Sequence, residues 1–219
     1  MVWDFSSVLA NSDALIAGAI GTVRLFAICL ASGMTFGLVV GLGRYARSRW
    51  FNWPATLFVE FFRNTPVLVQ ILWFYFALPI VAPFEISPLS AAALGISLNA
   101  AAFSADIYRG GIQSIERGQW EAARAIGMGW GQAMRRIILP QALKRMTPAL
   151  TSRAIEIFKS TTLASTVAYV ELLQQGKLIA SINFNPIEAY TTVAVIFFVI
   201  LWPLVQLTYA LERRMKRAE

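Results

Sequence analysis

Uncharged apolar runs, each about as long as a bilayer is thick, recur along the chain and are separated by polar segments. The runs cover residues 25–43, 64–84, 86–105 and 189–211. Because a membrane-spanning helix needs about 20 predominantly apolar residues, each run predicts one such helix. Residues 147–170 are less apolar. They predict a fifth helix that faces protein or water, because the ionised side chains within it avoid lipid.

This pattern predicts an all-α integral membrane protein that forms a single transmembrane domain over residues 1–219. We expect helices at roughly residues 13–43, 55–80, 87–110, 146–170 and 187–212. We expect residues 111–145 to form a loop in the cytoplasm.

Lysine and arginine fall in every second connection between these helices. The positive connections hold Arg44, Arg47 and Arg49; Arg109, Arg117, Arg124, Arg135, Arg136, Lys144 and Arg145; and Arg213, Arg214, Lys216 and Arg217. Residues 1–13 and 79–88 have no positive charge, and residues 171–188 have only Lys177. Because cytoplasmic loops are enriched in lysine and arginine, we predict that the N-terminus lies outside and the C-terminus in the cytoplasm.

The composition fits a membrane protein and excludes several kinds of chemistry. Hydrophobic residues make up 57% of the chain and charged residues only 14%, whereas soluble domains average about 25% charged. There is no histidine and a single cysteine, Cys29, which excludes Ser-His-Asp and Cys-His catalysis and any histidine-ligated metal site. The net charge is +7, but the positive residues border apolar runs, so we do not predict nucleic-acid binding.

Three glycines in the first predicted helix share one face. Gly33, Gly37 and Gly41 are four residues apart. Glycines with this spacing allow another helix to approach closely. We therefore predict that this face packs against a second helix and does not bind a ligand.

The segment "EAARAIGMGWGQAMRRIILP" at residues 121–140 is basic, interrupted by glycines and closed by a proline. Strong helix formers at 119–126 precede Gly127, and glycine just after a helix is a common stop signal. A helix this short is not stable alone in water, so the residues themselves leave two interpretations equally open. It is either a docking element for another protein or an amphipathic linker on the membrane surface.

The same segment resembles the EAA loop of ATP-binding-cassette importer permeases. The spacing of Glu121-Ala122-Ala123, Gly127 and Ile137-x-Leu139-Pro140 matches that pattern. Residues 60–70, 108–128 and 139–150 further resemble the polar amino-acid permeases of the histidine, glutamine, arginine and opine type, which have the MetI-like fold of type I importers.

The resemblance implies a multi-pass protein of the bacterial cytoplasmic (inner) membrane that is a transport subunit and not an enzyme. It implies that the EAA loop docks on a cytoplasmic ATPase dimer, which binds ATP and Mg²⁺, so that this chain holds no cofactor. The residues assigned to this docking unit are Glu121, Ala122, Ala123, Arg124, Gly127 and Met128. The chain itself has no Gly-x-x-x-x-Gly-Lys-Ser/Thr motif for the phosphates of ATP.

Further partners follow from the same resemblance. Five helices line only half of a path, so a second permease chain, the same or homologous, is needed to complete it. A soluble solute-binding protein outside the membrane delivers the substrate, which is a polar amino acid or a related small molecule. The lipid bilayer surrounds the whole assembly.

The fourth predicted helix holds charges that do not belong in lipid. Arg153, Glu156 and Lys159 are spaced by three and can neutralise one another. We expect the residues that face the substrate path to be Glu156, Lys159, Ser160, Thr161 and Thr162, with Arg63 as a further candidate. The alternative for the hydroxyls is hydrogen bonding to neighbouring helices. Family members commonly read Lys-Asp-Thr-Ser-Leu where this chain reads Lys-Ser-Thr-Thr-Leu, so a carboxylate is missing there.

Helix-start chemistry accounts for the stretch "EFFRNTP" at residues 60–66. We expect Asn64 or Thr65 to cap the second helix, with Pro66 in its first turn. Glu60 and Arg63 are three residues apart and are expected to pair at the cytoplasmic surface.

Two other functional classes compete with an ATP-driven importer. A secondary transporter or channel subunit, not driven by ATP, would need ion-coupling groups and an internal repeat, and we find no convincing repeat. An intramembrane enzyme could use Glu156 and Asp106, but no histidine or metal-ligand cluster supports it.

Overall fold

The protein is described by a computed structural model that covers residues 4–46, 48–82 and 85–216, and within these ranges all regular structure is helical. The helices are α1 (Ser6–Ala10), α2 (Ser12–Tyr45), α3 (Arg49–Asn64), α4 (Val67–Leu72), α5 (Leu78–Val81), α6 (Pro88–Gln113), α7 (Arg117–Ala125), α8 (Trp130–Ala133), α9 (Leu139–Ser160), α10 (Leu172–Asn183) and α11 (Pro186–Lys216). The predicted all-α class is confirmed.

The most extensive helix–helix contact in the bundle joins α2 to α6, and it is formed by the predicted glycine face. A Cβ atom added at Gly33 would lie 2.7 Å from the Cβ of Ala100, and one at Gly37 would lie 2.7 Å from the Cβ of Ser104. Separations this short do not occur between real side chains, so only glycine allows the two backbones to come this close. The predicted packing role of these glycines is confirmed.

Buried apolar residues form one central cluster and further clusters towards the ends of the bundle. The central cluster joins α2, α4, α6 and α9, and its residues include Leu25, Ile71, Ile96 and Ile157. Cys29 is buried in this cluster, where it fills space as a small apolar residue.

The second predicted helix, 55–80, is not a single helix. The structure has α3 and the α4–α5 segment instead, and they meet at an angle of 102°. Pro66 explains the break, since it cannot donate a backbone hydrogen bond and holds the preceding residue, Thr65, in an extended conformation (ψ 131°). The sharp bend therefore lies inside the helix predicted at 55–80.

Two further prolines coincide with wide helical turns. The π-helical segments Trp73–Ala77 and Met134–Ile138 each end two residues before a proline, Pro79 and Pro140. A proline ring clashes with the carbonyl four residues earlier, and a wider turn relieves that clash.

The boundaries of the third to fifth predicted helices also shift. The helix predicted at 146–170 runs without a break from Trp130 through the π segment into α9, which ends at Ser160. A 3₁₀ segment, Thr161–Val167, follows and turns at Ala168, whose φ is 55°. The expected loop at 111–145 is thus largely helical, because α6 extends into it and α7 and α8 lie within it.

Among the described residues, three helices are long and apolar enough to cross a membrane: α2, α6 and Pro186–Leu211 of α11. The bent α3–α5 pair adds a fourth if it counts as one span. The fifth span, at 146–170, and the orientation of the chain stay predictions. Arg47 and Arg217, two of the cations that predict the orientation, lie outside the described residues.

Candidate functional site

Helix α7 lies between the two long helices α6 and α9 and exposes most of its surface. Glu121, Ala122 and Arg124 are exposed, and Ile126, just after the helix, is 70% exposed. Leaving an apolar side chain of this size exposed to water costs free energy. The exposed face of α7 therefore has the character of a contact surface.

A tight hydrogen-bonded cap ends α7. The N–H of Gly127 donates to the carbonyl of Arg124 at 2.9 Å, and the N–H of Met128 donates to the carbonyl of Ala123 at 3.0 Å. This pair of bonds is a Schellman motif, which requires a left-handed residue after the helix. Gly127 supplies it with φ 77°, so the backbone conformation explains the glycine.

Ala123 does not belong to the exposed face. Its side chain is fully buried within the chain, and the predicted docking role for this residue is therefore wrong for direct contact. On a helix, Ala122 and Ala123 point about 100° apart, so only Ala122 can present a small outer surface.

A groove of about 610 Å³ runs beside the same helix. The residues that line it include Tyr45, Trp120, Glu121, Arg124, Met128 and Trp130. It brings together three predicted docking residues, with one wall formed by the end of α2. The groove thus adds a recessed surface to the exposed face.

The loop is firmly attached to the bundle. Trp120 and Met134 pack against a buried cluster that joins α6 to α9. The side chain of Gln141 donates to that of Gln119 at 3.2 Å, and Arg145 donates to the carbonyl of Ser114. These contacts attach α7 and the residues before it to both α6 and α9.

The charged residues of α9 form a partly neutralised group, as predicted. Arg153 is buried and donates to Glu156 at 2.8 Å and to the amide oxygen of Asn99 at 2.9 Å. Its guanidinium also lies 4.4 Å from the centre of the Phe103 ring, within the range of a cation–π contact. Lys159 remains exposed.

The hydroxyl groups that follow are satisfied locally. Ser160 donates to the carbonyl of Glu156, Thr161 to that of Phe158 and Thr162 to that of Lys159, at 2.7–2.8 Å. These bonds lie within one chain segment and not between helices, so the predicted alternative of interhelical bonding is wrong for them. Thr161 is fully buried and cannot face a path, which corrects its assignment.

Arg63 does not pair with Glu60 as expected. It donates to Asp106 of α6, which also accepts a hydrogen bond from Arg44 of α2. Glu60 lies 3.9 Å from Arg44 instead. Helix periodicity allowed the expected pair, but a carboxylate on another helix competes for the same guanidinium.

Asn64 and Thr65, the residues predicted to cap the start of the second helix, instead cap the C-terminal end of α3. Their side chains donate to the carbonyls of Glu60 and Phe61, both at 2.8 Å. They therefore satisfy free carbonyls at the end of α3 and do not begin α4.

Residues outside the predicted docking and substrate-path sets also contribute to the site. Asn99 joins α3 to α9, Ile126 forms the tip of the loop, and Arg44 pairs with Asp106. A long-range contact leaves no periodic signal, so Arg44 and Asp106 could not be matched in advance. Ile126 could have been found, because it is a large apolar residue directly before the stop glycine of α7.

The described residues contain no group of three or more histidine, cysteine, aspartate or glutamate side chains that could hold a metal ion.

Comparison with known proteins assigns the family. Residues 33–217 match the family described as "binding-protein-dependent transport system inner membrane component". The chain is 37% identical to the glutamine transport system permease protein GlnP of Escherichia coli (strain K12), over 99% of both chains. It is 30% identical to the arginine transport system permease protein ArtQ of Bacillus subtilis (strain 168), over 97% of both chains.

Solved structures agree in fold. A crystal structure of an amino acid ABC transporter with histidines matches with a TM-score of 0.92 and 33% identity, covering 98% of this chain and 100% of the other. An inward-facing structure of the MetNI methionine ABC transporter matches with a TM-score of 0.78 at 22% identity. These relatives give no support to a carrier or channel that is not driven by ATP. The chain belongs to the binding-protein-dependent transport system inner membrane components: it is a multi-pass permease subunit of a bacterial ABC importer and is not itself an enzyme.

Proposed function

We propose that this permease imports a polar amino acid or a related small molecule, and that α7 is the coupling helix on which a separate ATPase acts. The observation that carries the proposal is the exposed face of α7, ended by the left-handed Gly127 and rigidly attached to α6 and α9. The names of its relatives, which transport glutamine, arginine and octopine, support an amino-acid substrate.

The ATPase contact is formed by the outer side of the loop. Glu121, Ala122 and Arg124 lie on that side with Ile126 at its tip, and Gly127 and Met128 shape the turn. Burying Ile126 against a partner removes its apolar surface from water. ATP and Mg²⁺ bind to the partner ATPase dimer in the cytoplasm and not to this chain.

The substrate path follows the exposed side of α9. Lys159 supplies a cation for the carboxylate of an amino acid, and Glu156 supplies an acceptor for its ammonium group. Ser160 and Thr162 lie beside them and are partly exposed. An exposed lysine within a membrane protein is costly unless water or a partner solvates it, which favours a wet path at this position.

Two further partners complete the importer. A second permease chain, the same or homologous, closes the other half of the path. A solute-binding protein docks outside, on the side away from the arginine-rich loops, which the positive-inside pattern assigns to the cytoplasm.

Reconstitution tests the proposal. The chain is purified from its host with whatever ATPase remains attached, and the complex is placed in vesicles with its solute-binding protein. Uptake of labelled glutamine and arginine is then measured with and without ATP. We expect uptake that requires both ATP and the attached ATPase. Uptake that an ion gradient drives without any ATPase would contradict the proposal.

A further inference from the structure

Asp106 joins three helices. One of its carboxylate oxygens accepts a hydrogen bond from Arg44 at the end of α2, and the other accepts one from Arg63 near the end of α3. We call these three residues the arginine clamp. Each carboxylate oxygen of Asp106 therefore binds the arginine of a different helix.

The two halves of the clamp differ in burial. Arg44 is 7% exposed, with Glu60 as a second, more distant acidic neighbour at 3.9 Å. Arg63 is 44% exposed. The Arg44 half is thus part of the folded core, whereas the Arg63 half can be altered without leaving a buried charge unpaired.

The clamp lies close to the coupling helix along the chain. Asp106 precedes the end of α6 at Gln113 by about 10 Å of helix. The residues between α6 and α7 are tied to α9 by the bond from Arg145 to the carbonyl of Ser114. A displacement of α7 therefore reaches Asp106 through a short, braced segment.

The clamp also lies next to the sharp bend. Arg63 is one residue before Asn64, the last residue of α3, and two residues before Thr65, where the chain turns. The carbonyl of Phe62 accepts bonds from Asn99 of α6 at 2.9 Å and from Gln70 of α4 at 3.0 Å. Asn99 and Asp106 are about two helical turns apart. The end of α3 is therefore hydrogen-bonded to α6 at two positions along that helix.

We propose that Asp106 and Arg63 are positioning residues that fasten the end of α3 to α6, so that movement of the coupling helix bends the chain at Thr65 and Pro66. When α6 moves, Asp106 moves with it. Because Arg63 is bound to Asp106, the end of α3 moves too, and the angle between α3 and α4 changes at the bend. Arg63 acts here through Asp106 and does not contact the substrate. This inference depends on the proposed coupling role of α7.

The test uses the complete complex in vesicles, with the permease chain, its ATPase and its solute-binding protein. Three variants are compared with the wild type: Arg63→Gln, Arg63→Lys and Arg49→Gln. Arg49 is the matched control, because it lies on the same helix, is exposed and loses the same charge. The readouts are ATPase attachment, the KM for uptake and the number of substrate molecules transported per ATP hydrolysed.

We expect Arg63→Gln to retain its ATPase and its KM while transport per ATP falls about fivefold, within the range seen for residues that carry coupling between sites. Arg63→Lys should recover most of the loss, and Arg49→Gln should match the wild type. An unchanged transport ratio in Arg63→Gln would overturn the inference. So would a higher KM at an unchanged ratio, since that result would make Arg63 a substrate contact. Failure of the wild-type chain to bind any ATPase would instead refute the proposed function itself.

Discussion

The backbone N–H of Met128 donates a hydrogen bond to the carbonyl of Ala123, five residues earlier, at 3.0 Å. This bond closes the end of α7 and requires Gly127 to adopt a left-handed conformation. The position of every exposed residue at the tip of the loop depends on that turn.

Replacement of Gly127 should weaken ATPase binding without damage to the bundle. Apart from Gly127 and its two chain neighbours, no residue comes within 4 Å of a Cβ added at this position, so the cost of Gly127→Ala arises from its positive φ alone. That cost is about 1–2 kcal/mol, or about five- to thirtyfold in affinity if the turn must form for binding. A titration of the ATPase against the permease in nanodiscs measures it.

Gly131→Ala is the control for Gly127→Ala. Gly131 lies in the helix α8, and a Cβ there also meets nothing within 4 Å. Since alanine favours a helix over glycine, this variant should bind the ATPase as well as the wild type. Equal weakening by both variants would show that the loop does not require a left-handed turn.

Close packing between α2 and α6 should make Gly37 intolerant of any side chain. In Gly37→Ala the new methyl group would lie 2.7 Å from the Cβ of Ser104 and 2.8 Å from the carbonyl of Ala101. Overpacking of this kind costs about 1–3 kcal/mol, so the thermal unfolding midpoint in detergent should fall. Gly110→Ala, with no atom within 4 Å, should leave it unchanged; a matching decrease there would argue against the packing account.

Lys159→Met should lower uptake while the complex still assembles. The substitution removes the exposed cation proposed for the substrate carboxylate but keeps a long, flexible side chain. We expect a higher KM for uptake and normal ATPase attachment. Lys144→Met, which removes an exposed lysine from the part of α9 nearer the loop, serves as the control. Uptake kinetics equal to wild type in Lys159→Met would remove Lys159 from the path.

The bend between α3 and α4 should depend on Gln70. Its buried amide donates to the carbonyls of Phe62 and Thr65, at 3.0 and 2.9 Å. Gln70→Met leaves the Thr65 carbonyl without that partner, at a cost of about 1–3 kcal/mol. The thermal unfolding midpoint should decrease for Gln70→Met and stay constant for Gln113→Met, a substitution at an exposed glutamine. An equal midpoint in the two variants would mean that the Thr65 carbonyl does not need Gln70 and is hydrogen-bonded by water instead.

Much of the architecture can be predicted from local features of the sequence. Apolar run length and the four-residue glycine spacing depend on helix geometry alone, and they correctly indicated the helical class and the face of α2 that packs on α6. Gly127 was identified for the same reason, because a helix stop is encoded by its neighbours.

Features that depend on long-range contacts could not be predicted. The helix predicted at 55–80 crosses the break at Pro66, and only the fold reveals that the chain turns there by 102°. The resemblance to the EAA loop assigned both Ala122 and Ala123 to the docking unit, but the packing of α7 buries Ala123 and exposes Ala122. Arg63 pairs with Asp106 and not with Glu60, which is only three residues away in sequence, because α6 packs beside α3.

The most direct test of the coupling role of α7 is the affinity of the ATPase for the Ile126→Asp variant. Ile126 is 70% exposed at the tip of the loop, so the change should leave the permease folded, with an unchanged thermal unfolding midpoint. A buried, unpaired carboxylate in the interface should weaken binding at least about tenfold, and ATP-driven uptake should be lost with it. Wild-type affinity and uptake in Ile126→Asp would contradict the account.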